Sequence, residues 1–292
     1  LKAPIQITIL SDGKAGHENQ CLGLVEAMGR RTGVEYRVLR LDIELSRIAR
    51  LYQAIEQSRD LPKPDFVVSA GSSTHLALLL LSRKYKARSI VLMKPTLPMA
   101  WFEWCIAPEH DFKKAPNRKR LITSKGALNR VVPAGTEKSG RLLLIGGPSK
   151  THGYDEAGLV EQIRRLVADG GDWQLTNSRR TPETFLTSVK KEVPGLELFP
   201  HEQTPPGWLA ERLSEVEEVR VTEDSVSMVY EALTGGAKVG LLKMPRLKTN
   251  ARVIRGLDTL ENEGYFIGSE GEDPPRLAEA DRCAAIILDA EK

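Results

Sequence analysis

Short apolar, β-branched runs alternate with segments of helical period along nearly the whole chain, and the alternation breaks once and then restarts. In the first half, 5–10, 34–41, 65–70, 89–93, 104–107 and 120–123 read as strands, and 17–31, 45–58 and 73–85 as helices. "VVPAGTEKSG" (131–140) carries Pro, Gly and small polar residues without a period and reads as a linker. The second half then gives strands at 141–147, 173–176, 196–199, 218–222, 238–243 and 265–267. Helices are expected at 155–169, 182–192, 207–214, 225–234, 249–263 and 275–290. Strand, helix, strand, repeated, builds a mostly parallel sheet covered on both faces. The expected fold is therefore α/β, with two Rossmann-like doubly wound domains, 1–135 and 136–274, facing a cleft, and a terminal helix at 275–292. A length of 292 residues with 41% hydrophobic content supports two cores.

Composition removes several function classes. A net charge of +3 is too small to point to nucleic acid. No apolar run reaches the ~20 residues of a membrane span, and "LALLLL" (76–81) reads as a buried helix. Cys21, Cys105 and Cys283 lie far apart with no C-x-x-C pair, which suggests reduced thiols in the cytoplasm. No signal peptide is recognisable. Cys21 is expected to be an inert buried thiol.

In open α/β sheets ligands bind beyond the carboxyl ends of the strands, so the strand-end loops are where chemistry is sought. The first, "SDGKAGHENQ" (11–20), places Gly13 and Gly16 around Lys14 and opens a helix near His17. A helix start offers free N–H groups to an anion or a sugar. The loop is not a Walker A, because no Ser or Thr follows Lys14, and "HENQC" is not H-E-x-x-H, because Cys21 replaces the second His. "SAGSSTH" (69–75) is another small-residue turn, in which Ser72 or Ser73 would either face a ligand or simply cap the helix, and His75 reads as structural. Lys94, His110, Asp111 and Lys125 stand just past later strand ends.

In the second half, "GGPSKTHG" (146–153) follows a strongly apolar strand, and its backbone N–H groups with Ser149 suit a phosphate. It lacks G-x-G-x-x-G spacing, which disfavours a nicotinamide site. "TNSRRTP" (176–182) sets Ser178, Arg179 and Arg180 at a strand end, where guanidinium matches phosphate geometry. "TEDSVSMVYEALTGG" (222–236) puts Ser225 at a helix start and Glu231 within the helix, able to accept from a ribose diol. No D-x-D occurs and no His, Cys, Asp or Glu cluster has metal spacing, so no metal and no cofactor are expected.

"SDGKAGHENQCLGL", "PEHD", "GALNRV", "GGPSKTHGYD", "TNSRRTP" and "TEDSVSMVYEALTGGAKVG" together resemble, in order and over nearly the whole chain, the ELM-type family named for elongated mitochondria. It is a mitochondrial fission family of plant and bacterial proteins, some of whose bacterial members are described as glycosyltransferases. The second half also resembles the donor domain of GT-B glycosyltransferases, in particular the lipid-linked N-acetylglucosamine transferase of cell-wall synthesis. That likeness implies Glu231 as ribose ligand, and Gly147, Ser149, Arg179 and Ser225 as diphosphate and sugar ligands; Ser178, at the same strand end as Arg179, is expected to join them. It places His17 near the acceptor-side catalytic position, and Gly13, Gly16, Ser72, Lys94, His110, Asp111 and Lys125, read from the first-half strand-end loops, are expected on the same acceptor side. It also implies that the terminal helix crosses back to the first domain. Thr-Glu-Asp-Ser precedes the second-half helix here, where the analogue has a Gly-rich pair.

The function so implied is metal-independent transfer of a sugar from a nucleotide-diphosphate donor, UDP-linked by the analogy, to a hydroxyl acceptor. His17 would be the base, with Lys14 and Asp12 as competitors. Residues 113–130 hold seven Lys or Arg and no acid, just after "PMAWFEW" (98–104), which suits peripheral contact with an anionic inner membrane and a lipid-linked acceptor. Two alternatives accompany this reading. One is a nucleotide-sugar 2-epimerase using Asp111, Glu223 and Asp224. The other is a non-enzymatic scaffold related to fission.

Overall fold

The computed structural model describes residues 3–133, 135, 137–249, 251–267 and 275–291. Ala134 and Thr136 of the expected linker, Asn250 of the expected helix, and the expected domain end at 274 lie outside the described residues. The chain divides into two compact units, one of 1–130 with 278–292, the other of 131–277.

The first unit runs β1 (Ile5–Ser11), α1 (Ala15–Gly29), β2 (Val34–Arg40), α2 (Arg47–Ser58), β3 (Phe66–Ala70), α3 (His75–Tyr85), β4 (Arg88–Leu92), β5 (Trp104–Pro108) and β6 (Leu121–Ser124). Its strands are all parallel, in the order β2-β1-β3-β4-β5-β6. β3 and β5 are buried at every residue, which is why they appear in sequence as short continuous apolar runs. Ile9, Phe66, Ile90 and Ile106 pack against α1 on one face, and Leu10, Val67, Val91 and Cys105 pack against α2 and α3 on the other. The chain leaves β1 for β2 on one side and returns to β3 on the other. The loops after β1 and β3 therefore flank the point where the winding reverses, the place such sheets use for ligands.

The second unit runs β7 (Arg141–Ile145), α4 (Glu156–Ala168), β8 (Trp173–Asn177), α5 (Thr184–Glu192), β9 (Glu197–Phe199), α6 (Trp208–Glu215), β10 (Glu218–Thr222), α7 (Val226–Gly235), β11 (Lys238–Leu242) and α8 (Arg252–Asn262). Its parallel order is β11-β10-β7-β8-β9, so the winding reverses between β7 and β10. The final α9 (Glu279–Asp289) belongs to the first unit, where Ala280, Cys283, Ala284 and Ile287 are buried in the core alongside Leu24 and Met28 of α1.

Several elements differ in extent from the sequence reading by one to four residues. The expected strand at 265–267 is a single parallel bridge, Val239 to Phe266, with the Ile267 N–H donating to the Val239 carbonyl. α9 starts at Glu279 instead of 275. α1 starts two residues before His17, because the Lys14 carbonyl already accepts the N–H groups of His17 and Glu18.

Candidate active site

At the reversal point of the first sheet, β1 ends and delivers Asp12 into a buried position, its side chain fully covered. His17, in the first turn of α1, turns its ring back onto that carboxylate, and its Nδ1 lies 3.0 Å from both Asp12 oxygens. Ser73, in the loop after β3, donates its hydroxyl to Asp12 Oδ2 at 2.9 Å. The Lys14 N–H donates to Oδ1 at 3.3 Å, and its exposed ammonium stands 3.8 Å from Oδ2. Burial pushes the Asp12 carboxyl up, but the Ser73 hydroxyl, the His17 ring and the Lys14 N–H outweigh it and leave the group below its ordinary value.

Gly71 makes this packing possible. Its φ is +88°, and a Cβ there would stand 2.5 Å from His17 Nδ1 and 3.0 Å from Asp12 Oδ2. Gly13 also has positive φ, +76°, but faces open space. Underneath, Ser11 receives the Gly13 N–H and donates to Glu18, which Arg40 also holds. Gly16 lies in the first turn of α1 with open space beside it.

The chemistry follows from the proton inventory. A carboxylate only accepts, so Nδ1 carries the proton and a neutral His17 keeps its free lone pair on Nε2. With 20% of the side chain exposed, that nitrogen can serve as a base toward a substrate. Ser72 is exposed beside Ser73. Lys94 donates to the Asp111 carbonyl at 3.2 Å and lies over the Phe112 ring. His110 and Asp111 sit on the short turn after β5, and the Lys125 N–H donates to Glu279 at the start of α9.

The reversal point of the second sheet is a filled polar network. The Gly146 N–H donates to Thr222 Oγ1 at 2.7 Å and the Gly147 N–H to Asp224 Oδ2 at 3.0 Å. Ser149 Oγ accepts the N–H groups of Thr151 and His152. The donors that the sequence reading offered to a phosphate are thus engaged within the protein. The arginine reaching this loop is Arg180, 2.7 Å from Asp224 and donating to the carbonyls of Gly147 and Pro148. A Cβ at Gly147 would strike the Arg180 carbonyl, so the glycine admits that turn. Ser178 closes the turn with Thr181, and its hydroxyl accepts the Arg180 N–H.

Arg179 remains exposed, with no hydrogen bond or ion pair among the described residues. Ser225 caps α7 by position only, its side chain making no capping bond. Burial pushes the Glu231 carboxyl on α7 up to about 7. Glu223 is clasped by Lys243 at 3.0 Å and Arg246 at 2.8 Å, with His152 Nε2 at 3.7 Å. Burial lowers the His152 pKa. Among the described residues no three His, Cys, Asp or Glu side chains form a metal-holding group. No described helix is long and apolar enough to cross a membrane. All three cysteines are free and buried, and burial raises their pKa values, that of Cys105 to about 11.

Two all-parallel, doubly wound sheets of six and five strands define the GT-B class, the fold shared by glycosyltransferases and nucleotide-sugar epimerases. Within that class the chain belongs to the family described as Mitochondrial fission ELM1, whose model matches residues 15–290. A relative in Rickettsia prowazekii strain Madrid E, named uncharacterized protein RP120, is 22% identical over 356 residues, covering 99% of each chain. Among solved structures, the UDP-GlcNAc 2-epimerase of Methanocaldococcus jannaschii is similar at TM-score 0.56 and 12% identity, over 98% of this chain and all of its own. The UGT2 of Phytolacca americana, complexed with UDP-2-fluoro-glucose and pterostilbene, is similar at TM-score 0.51 and 10% identity, over 99% of this chain and 90% of its own.

Proposed function

We infer that the chain is a metal-independent glycosyltransferase that moves a sugar from a nucleotide-diphosphate donor to a hydroxyl acceptor. The observation that carries this is the Asp12–His17 pair, which fixes the imidazole with Nδ1 protonated and Nε2 free. Nε2 takes the proton of the acceptor hydroxyl as that oxygen attacks the sugar. Asp12 stays ionised and stabilises the imidazolium that forms. The second unit holds the donor. Glu231 accepts from the ribose diol, and Arg179 with the N-terminus of α7 at Ser225 takes the diphosphate charge as it develops. The similar proteins whose names include UDP-sugars support a ligand of that kind.

The epimerase alternative would use Asp111, Glu223 and Asp224 as carboxylates facing the sugar. Glu223 and Asp224 are buried and held by cations, Glu223 by Lys243 and Arg246 and Asp224 by Arg180, which leaves these two poorly placed for proton transfer to a substrate, and Asp111 belongs to the turn after β5 of the first unit.

The test is release of nucleoside diphosphate from a panel of UDP-, GDP- and ADP-sugars, with envelope lipid extract as acceptor. His17→Ala should lower turnover by roughly 10²–10⁴ while donor binding is retained. Undiminished turnover in that variant removes the base, and conversion of UDP-N-acetylglucosamine to an epimer without acceptor favours the alternative.

A further inference from the structure

Beside the dyad, the first unit contains a pocket of about 530 Å³. Arg47 and Leu51 of α2, Ser73 in the loop after β3, Leu76 at the start of α3, and Thr96 and Leu97 after β4 form its walls. Its lining includes two arginines and a histidine and no carboxylate. Arg50 is fixed there as a cation, its guanidinium donating to the carbonyls of Asp42, Ile43, Leu45 and Ser73. Arg47 is different: it is exposed and has no hydrogen bond or ion pair among the described residues.

At the positions that follow the lining residues Arg47 and Leu51 in sequence, α2 is apolar where a solvated helix would be polar. Ile48 and Tyr52, one turn apart, are 69% and 66% exposed, and Leu76 on the pocket wall is 41% exposed. An apolar stripe beside an unneutralised arginine is the surface that an amphiphile with an anionic head complements. The basic stretch at 113–130 is a weaker candidate for that role. Arg118 donates to the Phe102 carbonyl, Arg120 pairs with Glu103 and Arg130 with Glu26, and of the aromatics before it Phe102 and Trp104 are buried.

We propose that the pocket and the adjoining face of α2 bind a membrane-borne anionic amphiphile, its charged head on Arg47 and its chain along Ile48, Tyr52 and Leu76. Resting on the transferase reading, the same amphiphile is the acceptor. Ser73 joins the two places, since its carbonyl accepts from Arg50 at 2.9 Å while its hydroxyl donates to Asp12 at 2.9 Å. A hydroxyl carried near the head group of the bound amphiphile would come to the edge of the dyad.

The experiment uses the full chain and three probes: dodecyl phosphate below its micelle concentration, inorganic phosphate, and vesicles of phosphatidylcholine with or without phosphatidylglycerol. Dodecyl phosphate should bind at least tenfold more tightly than inorganic phosphate, because the chain adds buried CH₂ groups, and vesicle binding should require phosphatidylglycerol. Arg47→Gln should weaken dodecyl phosphate binding about tenfold, and Ile48→Ser with Tyr52→Ser about tenfold or more. Changing Lys113, Lys114 and Lys119 together to Gln should leave it unchanged. These are exposed positions, and circular dichroism melts confirm that each variant folds. Absence of dodecyl phosphate binding, binding indifferent to both α2 variants, or loss on changing the three lysines overturns the assignment. The melting shift given by nucleotide sugars is read on the same samples. In the parent protein, no amphiphile binding beside an intact nucleotide-sugar shift sinks this proposal alone, and amphiphile binding with no nucleotide-sugar shift sinks the transferase reading alone.

Discussion

Replacing Gly71 by alanine puts a methyl group where the His17 ring lies. The added Cβ would be 2.5 Å from Nδ1 and 2.6 Å from Cε1, about an ångström inside ordinary contact, and 3.0 Å from Asp12 Oδ2. Two costs follow. Holding a non-glycine residue at φ +88° costs about 1–3 kcal/mol. Displacing the ring leaves the buried Asp12 carboxylate short of a partner, a further ~1–3 kcal/mol. Gly13→Ala is the internal control, because its φ is +76° but no atom lies within 4 Å of the new Cβ, so only the backbone cost applies. At about 2–4 °C per kcal/mol for a domain of this size, Gly71→Ala should lower the first unit's melting temperature by roughly 4–24 °C, and by more than Gly13→Ala does. It should also lose the downfield Nδ1–H proton resonance of His17, which Gly13→Ala keeps, and with it the turnover that depends on a fixed imidazole. Equal destabilisation by the two variants, with the resonance intact in both, would refute the claim that glycine at 71 makes room for the dyad.

Three other outcomes follow from the same geometry. Arg180→Met should destabilise the second unit by about 1–3 kcal/mol in denaturant melts, because it leaves the buried Asp224 carboxylate with the Gly147 N–H but without its cation; its neighbour Arg179→Ala should leave stability unchanged and weaken nucleoside diphosphate binding in calorimetry. The Asp12 carboxyl is held below its ordinary 3.8, so the stability it contributes is present above that pH and is lost as pH falls through the lowered value. Asp12→Asn should therefore differ from the parent at neutral pH and converge with it in acid melts. Glu231 is displaced upward to about 7, so its ionisation opposes folding, and stability should fall from about pH 4.5 to 7, a slope that Glu231→Gln removes. If the ionised carboxylate receives the ribose, nucleotide affinity should rise over the upper part of that range.

The fold was legible in sequence because parallel strands buried on both faces, such as "FVVSA" and "RLLLI", are short apolar runs bounded by turn residues. The short run at 265–267 has the same composition, but it reaches β11 at a single bridge, and composition alone does not report pairing. Asp12, Lys14 and His17 could be picked out because their loop is contiguous. Ser73 and Gly71 could not be set against them, since that depends on β3 pairing with β1, a property of strand order and not of local sequence. For a related reason sequence could not show that Arg180, and not Arg179, reaches Asp224, because the turn closed by Ser178 and Thr181 decides which guanidinium faces it. Nor could sequence show that the Gly146–Ser149 donors are spent internally, since their partners lie tens of residues away or depend on the turn itself. The pocket beside α2 escaped notice because Ile48 and Tyr52 fit an amphipathic helix, and only the tertiary packing shows them exposed.

The division of labour between donor binding and base is tested most directly by the melting shift that a panel of nucleotide sugars produces in the parent protein, His17→Ala, Arg179→Ala and Glu231→Gln. At least one nucleotide sugar should raise the melting temperature of the parent and of His17→Ala alike, and should do so much less for Arg179→Ala and Glu231→Gln. A shift abolished by His17→Ala yet intact in the other two, or no shift with any nucleotide sugar, would contradict it.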